Sequence, residues 1–166
     1  MGIRNLMDHQ GPYTRPMENQ PAGWSGGDPD AFTALTLVRV SQAMSRVFTA
    51  TLVPHDLAPP HFSVLLHLVQ QPGLSQAALA REVLATPQSV GELLRTMEER
   101  GMIERTPPAG PGLPIAVYAS PAGRALLDQV TPHVLAAFSP DALGIDEETS
   151  ERLNVDLHAI LAKLTH

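Results

Sequence analysis

Apolar residues recur at three- and four-residue steps along most of the chain, which is the spacing of amphipathic helices. The first run begins at Asp28-Pro29, where a carboxylate and a proline favour a helix start. It continues for about 25 residues until Pro54 ends it. A second, short and buried helix is predicted from Pro59-Pro60 to residue 71.

The next two helices are separated by a turn of only a few residues. Ser75 is the predicted cap of the third helix, and Thr86, followed by a proline, is the predicted cap of the fourth. The fourth helix ends at Gly101, a residue suited to the left-handed conformation. Its inner stripe is predicted to consist of Val90, Leu93, Leu94 and Met97.

Two strand-like runs follow, at residues 102–106 and 115–119, around a tip rich in proline and glycine. Ser120-Pro121 then starts a fifth helix, and Asp146 caps a strongly amphipathic sixth one. The order of helix, helix, tight turn, helix and hairpin is that of a winged helix-turn-helix. We therefore predict a mainly α protein with six helices plus a two-stranded wing.

The ends of the chain are predicted to have different roles from its centre. Residues 1–27 are expected to form a flexible arm, because their composition cannot repay the entropy of ordering; Tyr13, Met17 and Trp24 could instead fix it to a partner surface. Residues 28–56 and 125–166 are predicted to be dimerisation helices, since their apolar faces lack partners within one small lobe. Residues 57–124 are the predicted winged-helix, DNA-binding lobe.

Composition narrows the possible functions. The chain has no cysteine, which excludes disulfides, thiolate metal sites and a cysteine nucleophile. Its net charge of −6 provides no overall attraction for nucleic acid, so any DNA contact must be local. The apolar stretch 57–80 is interrupted by prolines and histidines, and the N-terminus has no secretory signal, so we expect a cytoplasmic protein with no membrane partner. No catalytic, cofactor or phosphate-loop motif occurs; we predict no enzyme, no cofactor and no metal site.

Four segments resemble the MarR family of bacterial transcription regulators from about residue 33 to the C-terminus. They are PGLS, LARE, MEERGMIER and AGRALL, at residues 72–75, 79–82, 97–105 and 122–127. The resemblance implies a homodimer with winged DNA-binding lobes, a palindromic operator in double-stranded DNA and, in many members, a small effector bound between the dimerisation helices and the lobe.

The helical period places one face of the fourth helix, residues 87–100, away from the core. On that face Gln88 could pair with an adenine edge and Arg95 with a guanine or a phosphate. Thr86 and Ser89 could bind phosphates, although simple helix capping is an equal alternative. The full predicted DNA-binding set is Ser75, Gln76, Thr86, Gln88, Ser89, Arg95 and Arg105. For Arg105 the alternative is an ion pair with a neighbouring glutamate.

Two departures from the family weaken the expected DNA contact. Pro111 and Gly112 stand where most members have an acid and an arginine at the wing tip. Gly91 and Glu92 stand where a threonine and a basic residue are common. Five arginines are balanced by five glutamates across residues 60–124, so we predict weak DNA binding with a shallow salt dependence. The alternative function is a winged-helix dimer that binds a protein or small molecule instead.

Several histidines surround the start of the second helix, near the effector pocket that the resemblance implies. His61 and His67 are not on one helical face, which disfavours a shared metal ion. An imidazole could instead hold the carboxylate or phenol of a small aromatic effector, or the histidines could simply be exposed or satisfied in the core. The predicted effector-pocket residues are Met44, Phe48, His61, Phe62 and His67.

Overall fold

The computed structural model of the protein describes residues 28–107, 110 and 114–165. The predicted arm, residues 1–27, and the predicted neutral wing tip at Pro111 and Gly112 lie outside these residues. The chain divides between Gln42 and Ala43 into two units, and the second one contains the winged helix.

The described residues form seven α-helices and three short strands, so the predicted mainly α winged-helix class is confirmed. The helices are α1 Thr33–Leu52, α2 Pro59–Gln70, α3 Gln76–Glu82, α4 Pro87–Glu99, α5 Pro121–Ala137, α6 Pro140–Leu143 and α7 Glu147–Leu164. The strands are β1 Leu74–Ser75, β2 Ile103–Thr106 and β3 Ala116–Ala119. The prediction of six helices and two strands therefore missed one short helix, α6, and one short strand, β1.

The start of the first helix differs from the prediction. A 3₁₀ turn occupies Pro29–Ala31, and the carboxylate of Asp28 accepts a hydrogen bond from the backbone N–H of Asp30 at 3.0 Å. Phe32 then adopts an extended conformation, which interrupts the helical backbone, and α1 begins at Thr33. Asp28 and Pro29 do start a helical turn, but the turn is a separate 3₁₀ element.

The hydrophobic core of the second unit lies within the winged helix. It joins α2, α3, α4, the strands and α5 to the last residue of α1. The largest fully buried side chains are Leu52, Leu65, Leu68, Leu79, Leu94, Met97, Val64, Val90, Val117 and Val130. Each such side chain stabilises the fold by about 1.5–3 kcal/mol relative to an exposed one. The lobe therefore has a packed interior that can hold surface groups in fixed positions.

The sheet has the antiparallel order β1-β3-β2. Val117 is the central residue, paired with Leu74 on one side and with Arg105 on the other. Gly73 precedes β1 with a φ of +86°, and its N–H donates to the carbonyl of Val117 at 3.0 Å. β1 is too short to show an alternating pattern, which is why the sequence does not reveal it.

A close contact joins the wing to α5. The hydroxyl of Ser120 donates to the carbonyl of Gly101 at 2.6 Å and accepts from the N–H of Gly123 at 2.9 Å. A β-carbon on Gly123 would collide with the carbonyl oxygen of Met102, a backbone atom that has little freedom to move. The glycine of the AGRALL segment is therefore required for α5 to approach the wing.

The helix α7 has an exposed apolar stripe. None of its described residues is buried; Leu153 and Ile160, for example, are 45% and 41% exposed. The other exposed apolar residues of the stripe are Leu157, Leu161 and Leu164. In α1, Val40 is exposed in the first unit, and Met44 and Val47 are exposed in the second. No helix among the described residues has both the length and the apolar character needed to cross a membrane.

Candidate nucleic-acid interface

The helix-turn-helix is formed by α3, a short turn and α4. In the turn, Leu84 adopts the left-handed conformation with a φ of +52°, although its side chain is 61% exposed. The hydroxyl of Thr86 caps α4 by accepting the N–H of Ser89 at 3.1 Å, and the two hydroxyl oxygens lie 2.8 Å apart. Capping, the alternative left open for these two residues, is thus present in the structure. Both are also exposed, so their contact with phosphates stays a prediction.

The outer face of α4 is available to a ligand. Val90, Leu94 and Met97 are buried beneath the helix, as its period predicts. Gln88 and Arg95 are exposed on the opposite side, together with Glu92 and Glu99. The core thus holds a polar helical face outward, which is the arrangement that an α-helix needs to read a major groove.

The side chain of Gln76 connects α3 to α4. Its Nε2 donates a hydrogen bond to the carbonyl oxygen of Pro87 at 2.8 Å. Gly91 leaves room for this amide, since a β-carbon there would lie 2.7 Å from the same Nε2. Ser75 caps α3 by accepting the N–H of Ala78 at 3.2 Å. Both predicted DNA-binding residues therefore have internal structural roles at the start of α3.

Three of the five arginines of the lobe are bound to other groups. Arg100 contacts the carboxylate of Asp56 at 2.6 Å and also donates to its backbone carbonyl. The Nε of Arg105 lies 3.1 Å from a carboxylate oxygen of Glu98, the ion pair that was the alternative to DNA contact. The Nε of Arg124 donates to the carbonyl of Ala119. The two carboxylates offset the positive charges of Arg100 and Arg105, whereas Arg124 keeps its charge but is held by its bond to the carbonyl.

The other two arginines of the lobe, Arg81 on α3 and Arg95 on α4, are exposed. Neither forms an ion pair with any of the described residues. Among the described residues of this lobe, the positive charge that is both unpaired and free to turn toward DNA is therefore concentrated at these two positions.

A cavity of about 680 Å³ lies beside the first turns of α4. Its walls come from α2, the turn between α3 and α4, α4 itself and one residue of α1. The lining residues are Phe48, Pro59, Pro60, Phe62, Ser63, Leu66, Val83, Ala85, Ser89, Val90 and Leu93. Phe48 and Phe62 were predicted for the effector pocket. The contributions of the α3–α4 turn and of Ser63 were missed, because they depend on how the helices pack.

The other three predicted pocket residues, Met44, His61 and His67, do not line this cavity. Met44 is exposed on α1. His61 points back along its own helix, where its Nδ1 accepts the N–H of Ala58 at 3.4 Å. The pocket itself is bordered by aromatic contacts, since the ring of Phe48 packs edge-on against Phe62 at a centroid distance of 5.4 Å.

The environment of His61 opposes a positive charge. Partial burial is the main cause that lowers the pKa of its imidazole below 6.5, and the positive charge of Arg100 lowers it further. The carboxylate of Asp56 acts in the opposite direction but is the smallest of the three effects. A neutral imidazole is a poor partner for an effector's carboxylate. Within the described residues, no group of three His, Asp or Glu side chains is placed to hold a metal ion.

Comparisons with known proteins identify the same type of molecule. Residues 55–112 match the sequence model of the MarR family. The HTH-type transcriptional repressor Rv2887 of Mycobacterium tuberculosis is 35% identical over 108 residues, which cover 65% of this chain and 78% of that protein. A crystal structure of Rv2887 with p-aminosalicylic acid has 30% identity and a TM-score of 0.61, covering 76% of this chain and 96% of that one. CouR of Rhodococcus jostii bound to p-coumaroyl-CoA has 26% identity and a TM-score of 0.72, covering 81% and 94%.

Proposed function

The chain belongs to the MarR family of winged helix-turn-helix transcription regulators, and we propose that it binds a palindromic operator as a homodimer. In this proposal residues 57–124 form the DNA-binding lobe, and residues 28–56 and 125–166 supply the dimer interface. Double-stranded DNA and a second copy of the chain are its partners, and a small molecule modulates DNA binding.

The observation that carries the proposal is the exposed face of α4. Gln88 can present its amide to the N6 and N7 atoms of an adenine, while Arg95 can donate to a guanine or a phosphate. The hydrogen bond from Gln76 to the carbonyl of Pro87 fixes the start of α4 relative to α3, which helps to hold Gln88 in place for base recognition. A reading helix held by the core and by a neighbouring helix loses little entropy when it binds.

The uncovered stripe of α7 supports the dimer. Its exposed apolar side chains form a continuous face, whereas exposed apolar residues on a protein surface are usually scattered singly. A continuous apolar helix face is typical of an interface. A twofold symmetric pair of lobes would place two copies of α4 one helical turn apart on DNA, which favours an inverted repeat.

The cavity supports regulation by a small molecule. It has the size of ligand pockets and touches α4 through Ser89, Val90 and Leu93. The related proteins Rv2887 and CouR have been solved with p-aminosalicylic acid and p-coumaroyl-CoA, respectively. Since Rv2887 is a repressor, we further propose that ligand binding releases this chain from DNA and relieves repression.

Selection of bound duplexes from a random pool tests the proposal. The expected product is an inverted repeat, which would demonstrate both sequence reading and twofold symmetry. Gln88→Ala should relax selection at one position of each half-site, because a bidentate base contact contributes about 1–3 kcal/mol of discrimination. Gln70→Ala, on the exposed surface of α2, is the matched control and should select the same repeat as the unmodified protein.

A second function is favoured by Glu92 and by the balanced charge of the lobe. Glu92 is exposed on the face of α4 that would approach the phosphates. If no sequence is enriched while the protein remains a folded dimer, this winged helix is a protein- or small-molecule-binding module. The same result would contradict operator recognition.

A further inference from the structure

In the part of the chain that the structure describes, the lining of the cavity beside α4 contains no ionisable side chain. Its side-chain polar atoms are the hydroxyls of Ser63 and Ser89, and every other lining residue is apolar. His61 is not part of the lining, and its Nδ1 accepts the N–H of Ala58. A carboxylate placed here would lose water without gaining a counter-ion, which is strongly unfavourable.

The helix ends that border the cavity offer fewer free N–H groups than most helix ends do in place of a cation. Helix N-termini attract anions largely through free backbone N–H groups. α2 begins with Pro59 and Pro60, which have no N–H. At α4, Pro87 has none either, and the N–H of Ser89 is already donated to the hydroxyl of Thr86.

We propose that this cavity binds an uncharged, mainly apolar small molecule that has a hydroxyl or carbonyl group within reach of Ser63 and Ser89. The inference deepens the proposed function and rests on it for its regulatory consequence, whereas the binding step can be tested without DNA. The volume of about 680 Å³ suits a small organic ligand.

Ser89 provides a route from the cavity to the DNA-reading helix. Its hydroxyl lies 2.8 Å from that of Thr86 within the cap of α4, and the same residue lines the cavity. A ligand that takes over the hydrogen bond of Ser89 separates the two hydroxyls. Occupancy of the cavity thereby alters the first turn of α4, next to Gln88.

Titration calorimetry on the full chain at pH 7.5 tests the ligand class. The probes are matched pairs that differ in charge: methyl salicylate against salicylate, and methyl 4-hydroxycinnamate against 4-hydroxycinnamate. We expect the ester to bind at least tenfold more tightly than the acid in each pair. Equal or tighter binding of the acids overturns the inference, and so does the absence of binding by both esters.

Two variants test whether the esters bind in this cavity. Ala85→Leu adds bulk to the cavity wall at an exposed turn residue and should weaken ester binding at least tenfold. Ala122→Leu, at an exposed position of α5 outside the lining, should leave it unchanged. Circular dichroism verifies that both variants are folded. Equal ester affinities in the two variants would place the ligand elsewhere and overturn the inference.

Measurements of DNA affinity with and without the esters distinguish a failure of this inference from a failure of the proposed function. With the selected duplex, the esters should lower the DNA affinity of the unmodified protein at least tenfold and that of Ser89→Ala less than threefold. An equal loss in both proteins overturns the role of Ser89. If no duplex is selected but the esters still bind in preference to the acids, operator recognition fails and the assignment of the ligand class stands.

Discussion

The salt dependence of operator binding should reveal how few positive charges this lobe offers to DNA. Cations that neutralise phosphates release condensed counter-ions, so the logarithm of the affinity falls with the logarithm of the salt concentration by about 0.9 per contact. Arg100 and Arg105 are held by Asp56 and Glu98, and Arg124 is bonded to a backbone carbonyl. Arg81 and Arg95 remain exposed.

Two arginines per lobe correspond to four phosphate contacts in a dimer and a slope of about −3.6. The affinity should then fall about 150-fold between 50 and 200 mM salt, whereas six to ten contacts would give about 10³- to 10⁵-fold. Glu92→Lys replaces a repulsive carboxylate on α4 with a cation, one in each subunit. The slope should steepen to about −5.4, which is a loss of about 2,000-fold over the same range.

Fluorescence anisotropy with the selected duplex, measured over this range of potassium chloride, gives the slopes directly. Glu92→Gln should bind more tightly than the unmodified protein but with nearly the same slope, because it adds no cation. A slope of −7 or steeper for the unmodified protein would refute the reasoning, as would equal slopes for Glu92→Lys and Glu92→Gln.

Three further predictions concern the structure that holds the interface. Gly123→Ala should lower the free energy of unfolding by about 3 kcal/mol in urea titrations, because the added β-carbon would collide with the carbonyl of Met102. A loss below about 1 kcal/mol would contradict the contact. Leu84→Gly should raise that free energy by about 0.5 kcal/mol by removing left-handed strain, whereas Leu84→Ala, which keeps the strain, should not; equal gains would refute this. Because the pKa of His61 is lowered, the unfolded chain binds more protons near pH 6.5, and stability should fall as the pH drops from 7.5 to 5.5. His61→Asn should show a smaller fall, and an unchanged pH dependence would exclude this source.

Local chemistry accounts for the parts of the fold that the sequence predicted well. Four residues at predicted helix starts accept the backbone N–H three residues further along the chain. They are Ser75, Thr86, Ser120 and Asp146, with partners Ala78, Ser89, Gly123 and Thr149. A cap and its partner lie within one turn, so neither depends on how helices pack. The start of α1 shows the limit of such signals, because the cap at Asp28 does not determine whether a 3₁₀ turn continues as an α-helix.

Contacts between distant residues account for what the sequence did not predict. Asp56 and Arg100 are separated by 44 positions, and no local pattern pairs them. The bond from Gln76 to the carbonyl of Pro87 depends on the angle between α3 and α4. The cavity is formed by four separate segments, so the sequence could nominate Phe48 and Phe62 but could not show that His61 is absent from the lining.

The small number of phosphate contacts and the position of the cavity together favour regulation by a ligand that is only weakly coupled to DNA binding. When few phosphate contacts contribute to affinity, operator binding depends mainly on base contacts, each of about 1–3 kcal/mol. Disturbing the first turn of α4 would remove one such contact from each lobe of a dimer. A ligand that binds the DNA-free protein about 1.4 kcal/mol more tightly than the DNA-bound protein weakens DNA binding tenfold. An uncharged molecule that competes for the hydroxyl of Ser89 can meet that requirement without any large movement of the lobes. A regulator with a strongly basic lobe would keep its phosphate contacts after the same disturbance and would release DNA less completely.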